Sequence, residues 1–231
     1  MKSLITSTTI GEFSNELHRR FCWMVPYATG EHNSLGFRDH ELIINADICY
    51  YGCSFTYGES VDISERWTAR LDSKTNMPSN NFGMIGASID DILAIFVATT
   101  NFVRMKKALF LLPSPSRQTM LFSHDKFKKI SPEYDTTLQE DPEGRYAANA
   151  WFRLPHEYHL DRANTAINLI SYIANLNNIV PYFSSWDIET YKLLTHNVTR
   201  QRCHSDNNAA DGRHPSASSH LKFSQQFFEI L

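Results

Sequence analysis

The chain has 231 residues, of which 42% are hydrophobic and 13% aromatic. That length and composition suffice for one packed core in one domain, and they exclude an intrinsically disordered protein. A formal net charge of −3 offers no basic field for nucleic acid, and no apolar run approaches the length of a membrane span.

The first twenty residues, "MKSLITSTTIGEFSNELHRR", lack the apolar centre of a secretory leader. The expectation is a soluble protein with no signal peptide, either cytoplasmic or carried in a larger assembly. Four cysteines, Cys22, Cys49, Cys53 and Cys203, form no C-x-x-C pair. They read as buried free thiols rather than as a zinc site or a disulfide framework.

Residues 1–45 read as an irregular N-terminal extension, since "FCWMVPYATGEHNSLGFRDHEL" mixes aromatics, proline and glycine without a period. From Ala46 the pattern becomes strand, turn, helix. "ELIINADICYYG" predicts a buried strand, and "SVDISERWTARLDSK" predicts a helix capped by Ser64. "NNFGMIGASIDDIL" carries a short apolar run and a turn at Gly83 and Gly86. The helix that follows opens on Ser88 with Asp91 three residues on, the spacing of a capping box. "KKALFLLP" is continuously apolar and stopped by proline, as in a strand buried on both faces of a parallel sheet. Residues 114–158 are polar and rich in turn signals, and they read as an insertion or lid. "LDRANTAINLISYIANLNN" has helical periodicity at Leu160, Ala163, Ile167, Ile170 and Ala174. "NIVPYFSSWD" predicts a fourth strand, and "LKFSQQFFEIL" closes the chain as an amphipathic helix. The alternation implies a parallel sheet with helices on both faces, and ligands bind such sheets beyond the carboxyl ends of the strands.

Two stretches at those ends carry chemistry. In "YYGCSFTYGES", residues 50–60, Ser54 sits between two glycines where a strand ends. Taken alone it reads as a glycine-bounded turn with an N-cap serine, although nucleophiles are also presented this way. In "DGRHPSASSH", residues 211–220, Asp211 stands three before His214. That spacing lets the carboxylate hold one ring nitrogen while the other faces outwards. With Ser54 the parts of a Ser-His-Asp relay are present.

Together, "GCSFTYGES", "NFGMIGAS" and "DGRHPSASSH" resemble the blocks of the SGNH (GDSL-type) hydrolases, and "NSLGFRDHEL" resembles the lead-in of a subset of them. Order and spacing match from Asn33 to the last helix. The resemblance implies a three-layer, flavodoxin-like α/β/α fold with a central parallel sheet. It also implies Ser54 as nucleophile, His214 as base and Asp211 as its orienting acid, with the amides of Ser54 and Gly86 in an oxyanion hole. The family's Gly-x-Asn-Asp block is missing, because the chain has "LLPSPSRQ" there. Ser114, Ser116 and Arg117 are the candidates for the third donor. Cys53 replaces the family's aspartate and is expected to point into the core.

Other groups read as structural. His204 and His220 flank the relay loop without metal-ligand spacing and are expected to face solvent. Trp151, Tyr158 and Trp186 are expected in the core rather than as sugar-stacking rings. Asp135, Glu140, Asp141 and Glu143 are expected on a solvated rim, and Asp90 and Asp91 at a helix start. The implied activity is hydrolysis of a small acyl ester, with O-acetyl groups on carbohydrate as the substrate within that class, and with no cofactor. Two rivals are a degenerate SGNH-like domain that binds glycan or a partner, and a structural subunit of an oligomer or larger assembly.

Overall fold

A computed structural model of the chain describes residues 31–123, 126–130 and 142–231. Its elements begin with strand β1 (Ile48–Gly52), the single turn α1 (Ser54–Tyr57) and a 3-10 turn at Ile63–Glu65. Helix α2 (Trp67–Thr75), β2 (Ser79–Gly83), α3 (Ile89–Thr100) and β3 (Lys107–Leu112) follow. Next come β4 (Gln118–Ser123), β5 (Lys126–Ile130), α4 (Pro142–Phe152) and α5 (His156–Leu176). The chain ends with β6 (Val180–Ser185), α6 (Ile188–Leu193) and α7 (Ala217–Phe228).

Four strands form the central sheet in the order β2-β1-β3-β6, every neighbouring pair parallel. Successive side chains on a strand point to opposite faces, so Tyr50 and Tyr51 serve different layers. Tyr50 packs edge-on against Trp67 of α2, and Trp67 stacks on Phe227 of α7 at 4.7 Å. On the other face a row of rings runs across all four strands. Phe82, Tyr51, Phe110 and Phe183 are directly opposed in register and stack with centroids 5.0–5.4 Å apart. Phe96 of α3 meets the row edge-on, and α5 packs beside α3. The result is the three-layer architecture that the resemblance implied.

Strand β2 lies at an edge yet is buried along its length, with Asn80 and Asn81 in it. The Asn80 amide answers both backbone groups of Ile43, at 2.9 and 2.8 Å, so the polar residue closes the edge. Helix α3 has the expected capping box, in which Ser88 and Asp91 bond reciprocally. The helix expected behind Ser64 is different. Residues 63–65 form the 3-10 turn, and α2 starts at Trp67 after Arg66, without a side-chain cap. Within residues 114–158 the chain forms the antiparallel β4–β5 hairpin and α4, and Trp151 packs with Ile130 and Ala148 in a second small core. Asp135, Glu140 and Asp141 lie outside the described residues, as do Cys22 and residues 1–30.

Among the described residues no helix is long and apolar enough to cross a membrane. Cys49, Cys53 and Cys203 are free and buried.

Candidate active site

Ser54 opens α1 immediately after β1. Cys53 before it is extended, with φ −89° and ψ −152°, and Gly58 after it is left-handed at φ 80°. The turn is tight because nothing larger than glycine fits beneath it. A Cβ on Gly52 would sit 2.0 Å from Thr56 Oγ1, and one on Gly83 would sit 2.4 Å from the Tyr57 nitrogen. The Asn81 amide adds a bond to the Thr56 carbonyl at 3.0 Å, fastening α1 to β2.

The segment "NSLGFRDHEL" braces the same turn. Arg38 donates to the carbonyls of Gly58 and Val61, and Asp39 accepts from the Arg66 guanidinium at 2.5 Å and from the Asn81 backbone N–H at 2.7 Å. In the sequence this lead-in is legible only as a likeness. Its physical role is to fix the loop that follows Ser54.

The late loop brings Asp211 and His214 together. Asp211 Oδ2 lies 2.5 Å from His214 Nδ1, and Asp211 Oδ1 accepts the amides of Arg213 and His214 at 2.9 and 3.0 Å. Ser60 Oγ donates to Asp211 Oδ2 at 2.6 Å. Burial raises the Asp211 pKa, but these donors together outweigh it and hold the carboxyl well below the ordinary range. His214 packs edge-on to Phe55, the residue after Ser54, at 6.2 Å between centroids. The late loop is thereby seated against α1.

The outward nitrogen of His214 faces Glu59. Its Nε2 lies 3.1 Å from Glu59 Oε2, close enough for an ion pair though not aligned as a hydrogen bond. Among the described residues no hydrogen bond joins Ser54 Oγ to His214, and Ser54 is 2% exposed. Burial lowers the His214 pKa, while Glu59 and Asp211 raise it by more, so the net shift is upward. Glu59 and Ser60 were not singled out from the sequence. The signal was the acid and serine that end "YYGCSFTYGES", but their partners lie far along the chain, Asp211 being 151 residues beyond Ser60.

Gly86 occupies a left-handed turn at φ 66° just beyond β2. Among the described residues neither its amide nor that of Ser54, the first residue of α1, donates a backbone hydrogen bond. Of the third-donor candidates, Ser114 and Ser116 share a hydroxyl bond at 3.0 Å. The Arg117 guanidinium lies 4.9 Å above the Trp186 ring, whose Nε1 donates to Cys53 Sγ at 3.4 Å. Cys53 is fully buried, as expected of a side chain turned to the core.

His220 departs from expectation. It is buried in α7, its Nδ1 accepts the Trp67 amide at 3.1 Å, and burial pushes its pKa down to about 3. It works as a neutral acceptor between helices. His204 is exposed, as expected, and Trp151 is buried. Tyr158, expected in the core, is 48% exposed. Asp90 and Asp91 stand in the first turn of α3. Among the described residues no group of three or more histidine, cysteine or carboxylate side chains is arranged to hold a metal ion.

Two clefts flank the site. One of about 330 Å³ is lined by Phe55, Trp186, Arg202 and His204. Another of about 520 Å³ is lined by Tyr57, Glu59, Ser60 and Ile85.

No family model matches the sequence, and no curated protein matches it. Solved structures do match in fold. A protein from Desulfitobacterium hafniense, described as lipolytic and of the G-D-S-L family, superposes with a TM-score of 0.51 at 12% identity, over 82% of this chain and 100% of its own. The psychrotrophic esterase EstA from a Pseudoalteromonas species gives 0.50 at 10% identity, over 81% and 96%. The chain has the SGNH (GDSL-type) hydrolase fold.

Proposed function

We propose that the protein is a serine ester hydrolase acting through Ser54, His214 and Asp211. The observation that carries this reading is the 2.5 Å contact between Asp211 and His214, in a loop seated against the turn that bears Ser54. In the reaction, Ser54 Oγ attacks the ester carbonyl as His214 Nε2 takes its proton. Asp211 holds the ring by Nδ1 and stabilises the imidazolium that forms. The amides of Ser54 and Gly86 receive the oxyanion, where one donor typically contributes about 2.7–4 kcal/mol. Of the third-donor candidates we favour Arg117, because it overlies Trp186, which itself bonds the residue preceding the nucleophile. His214 then protonates the leaving alkoxide. In the second half Nε2 takes a proton from water as that water attacks the acyl carbonyl, and returns it to Ser54 Oγ as the acid leaves. Apart from that water, each step uses groups of the chain. The substrate is a small acyl ester, and O-acetylated carbohydrate is the member of that class we favour.

A second reading is a domain of this fold that binds glycan or a partner without turnover. It is favoured by the carboxylate that occupies Nε2 of His214, the nitrogen the relay would need for Ser54. One experiment separates the two: p-nitrophenyl acetate hydrolysis and fluorophosphonate labelling, each compared with Ser54→Ala. The matched EstA structure is inhibited by monoethylphosphonate, which makes a phosphonate the natural probe. Turnover and labelling lost together in the variant support the enzyme. A protein that neither turns over nor labels, both as wild type and with the Glu59 carboxylate removed from Nε2 in Glu59→Gln, defeats it.

A further inference from the structure

The loop Gly58–Ser60 grips both halves of the His214–Asp211 pair, although the acyl transfer described above asks nothing of it. Ser60 Oγ binds the same Asp211 oxygen that faces His214 Nδ1, and the neighbouring Glu59 faces Nε2 at 3.1 Å. To hold this arrangement Ser60 adopts left-handed backbone, φ 66°, which costs a residue with a side chain and persists where its surroundings enforce it. Arg38 anchors the carbonyls of Gly58 and Val61 on either side. The loop backbone is therefore fixed, and the freedom left to the segment lies in the Glu59 side chain, which is 31% exposed and borders the 520 Å³ cleft.

An imidazole nitrogen has one position for a proton or a lone pair. Nε2 either donates towards Glu59 or accepts from Ser54, but never both. Resting on the hydrolase reading, we propose that Glu59 is a gate on His214. With its carboxylate against Nε2 the relay is held open-circuit, and the carboxylate swings into the adjoining cleft for the relay to close. Ser60 is the positioning residue that keeps Asp211 aimed at Nδ1 throughout.

Among the described residues the groups facing His214 are few. Asp211 comes from its own loop, Glu59 from the loop after α1, Phe55 from α1, and His220, held neutral by burial, from α7. Two carboxylates facing one ring favour the imidazolium, which is the direction of the His214 shift.

The test is the NMR titration of the His214 ring in wild type, Glu59→Gln and Ser60→Ala, with fluorophosphonate labelling rates of Ser54 over the same pH range. Glu59→Gln should lower the His214 midpoint and raise the labelling rate at pH 6 by roughly threefold or more. Ser60→Ala should slow labelling at every pH. Should Glu59→Gln fold poorly, Glu59→Asp withdraws the charge by one methylene and moves both readouts the same way by less. An unchanged midpoint in Glu59→Gln overturns the gate, as does labelling that slows at every pH in that variant. If wild type does not label while Glu59→Gln does, the gate stands and the resting state is closed. If neither labels, the gate falls together with the relay it was to control, whereas an active, labelled protein with an unmoved midpoint removes the gate alone.

Discussion

His214 carries opposite demands from folding and from the proposed catalysis. Its folded pKa lies above the ordinary histidine value of about 6.5. The stability it contributes is therefore fully present below that value and is lost as pH rises through the folded pKa. Acyl transfer needs the neutral ring, so activity should rise over the same interval. Thermal unfolding of wild type and His214→Gln should differ most near pH 6 and converge by about pH 9. A gap that stays constant over that range would refute the charged pair. Asp211 has the opposite sign, its folded pKa being depressed. Its contribution is present above the ordinary carboxylate value and is lost only as pH falls through the folded one. Asp211→Asn should leave the fold intact and reduce kcat by about 10³–10⁴-fold, because an amide presents the wrong partner to Nδ1. A loss below tenfold would remove Asp211 from the relay.

At the scale of elements, the position of Ser54, the proposed nucleophile, depends on contacts beneath α1. Gly83→Ala would drive a methyl into the backbone of Thr56 and Tyr57. It should cost about 1–3 kcal/mol in urea unfolding and slow Ser54 labelling as well, since α1 must shift to admit the methyl. Labelling at the wild-type rate would show that α1 tolerates the shift. Ser88→Ala removes the N-cap of α3 and one partner of Asp91, for about 0.5–2 kcal/mol, and should leave labelling untouched. Both β1 and β3 were legible in the sequence because they are short, largely apolar runs ended by a glycine or a proline, and the Ser88–Asp91 box was legible from its spacing. Strand β2 was only half legible. Its asparagines argue against burial until their partners on Ile43, Thr56 and Gly83 are known. The start of α2 was misplaced because Ser64 has cap chemistry but lies inside the 3-10 turn.

Across the whole molecule, the ring row Phe82–Tyr51–Phe110–Phe183 ties the four strands into one body just short of their carboxyl ends. Phe110→Ala, at the row's centre, should cost about 3–5 kcal/mol in chemical denaturation. A loss under 1 kcal/mol would mean that the neighbouring rings close the gap. The row was invisible in the sequence because strand order and register are long-range properties. The site divides in the same way. Asp211 and His214 are three residues apart, so their pairing could be anticipated from local spacing. Glu59 depends on a loop conformation and a partner far along the chain. That separation has a consequence for biosynthesis. Ser60 emerges 151 residues ahead of the Asp211 it binds, an interval of roughly 8–30 s at ordinary rates of synthesis. In the proposed relay the Ser54 hydroxyl is without its base throughout that interval, so Ser54 should become a nucleophile only after the loop that carries Asp211 and His214 has been made.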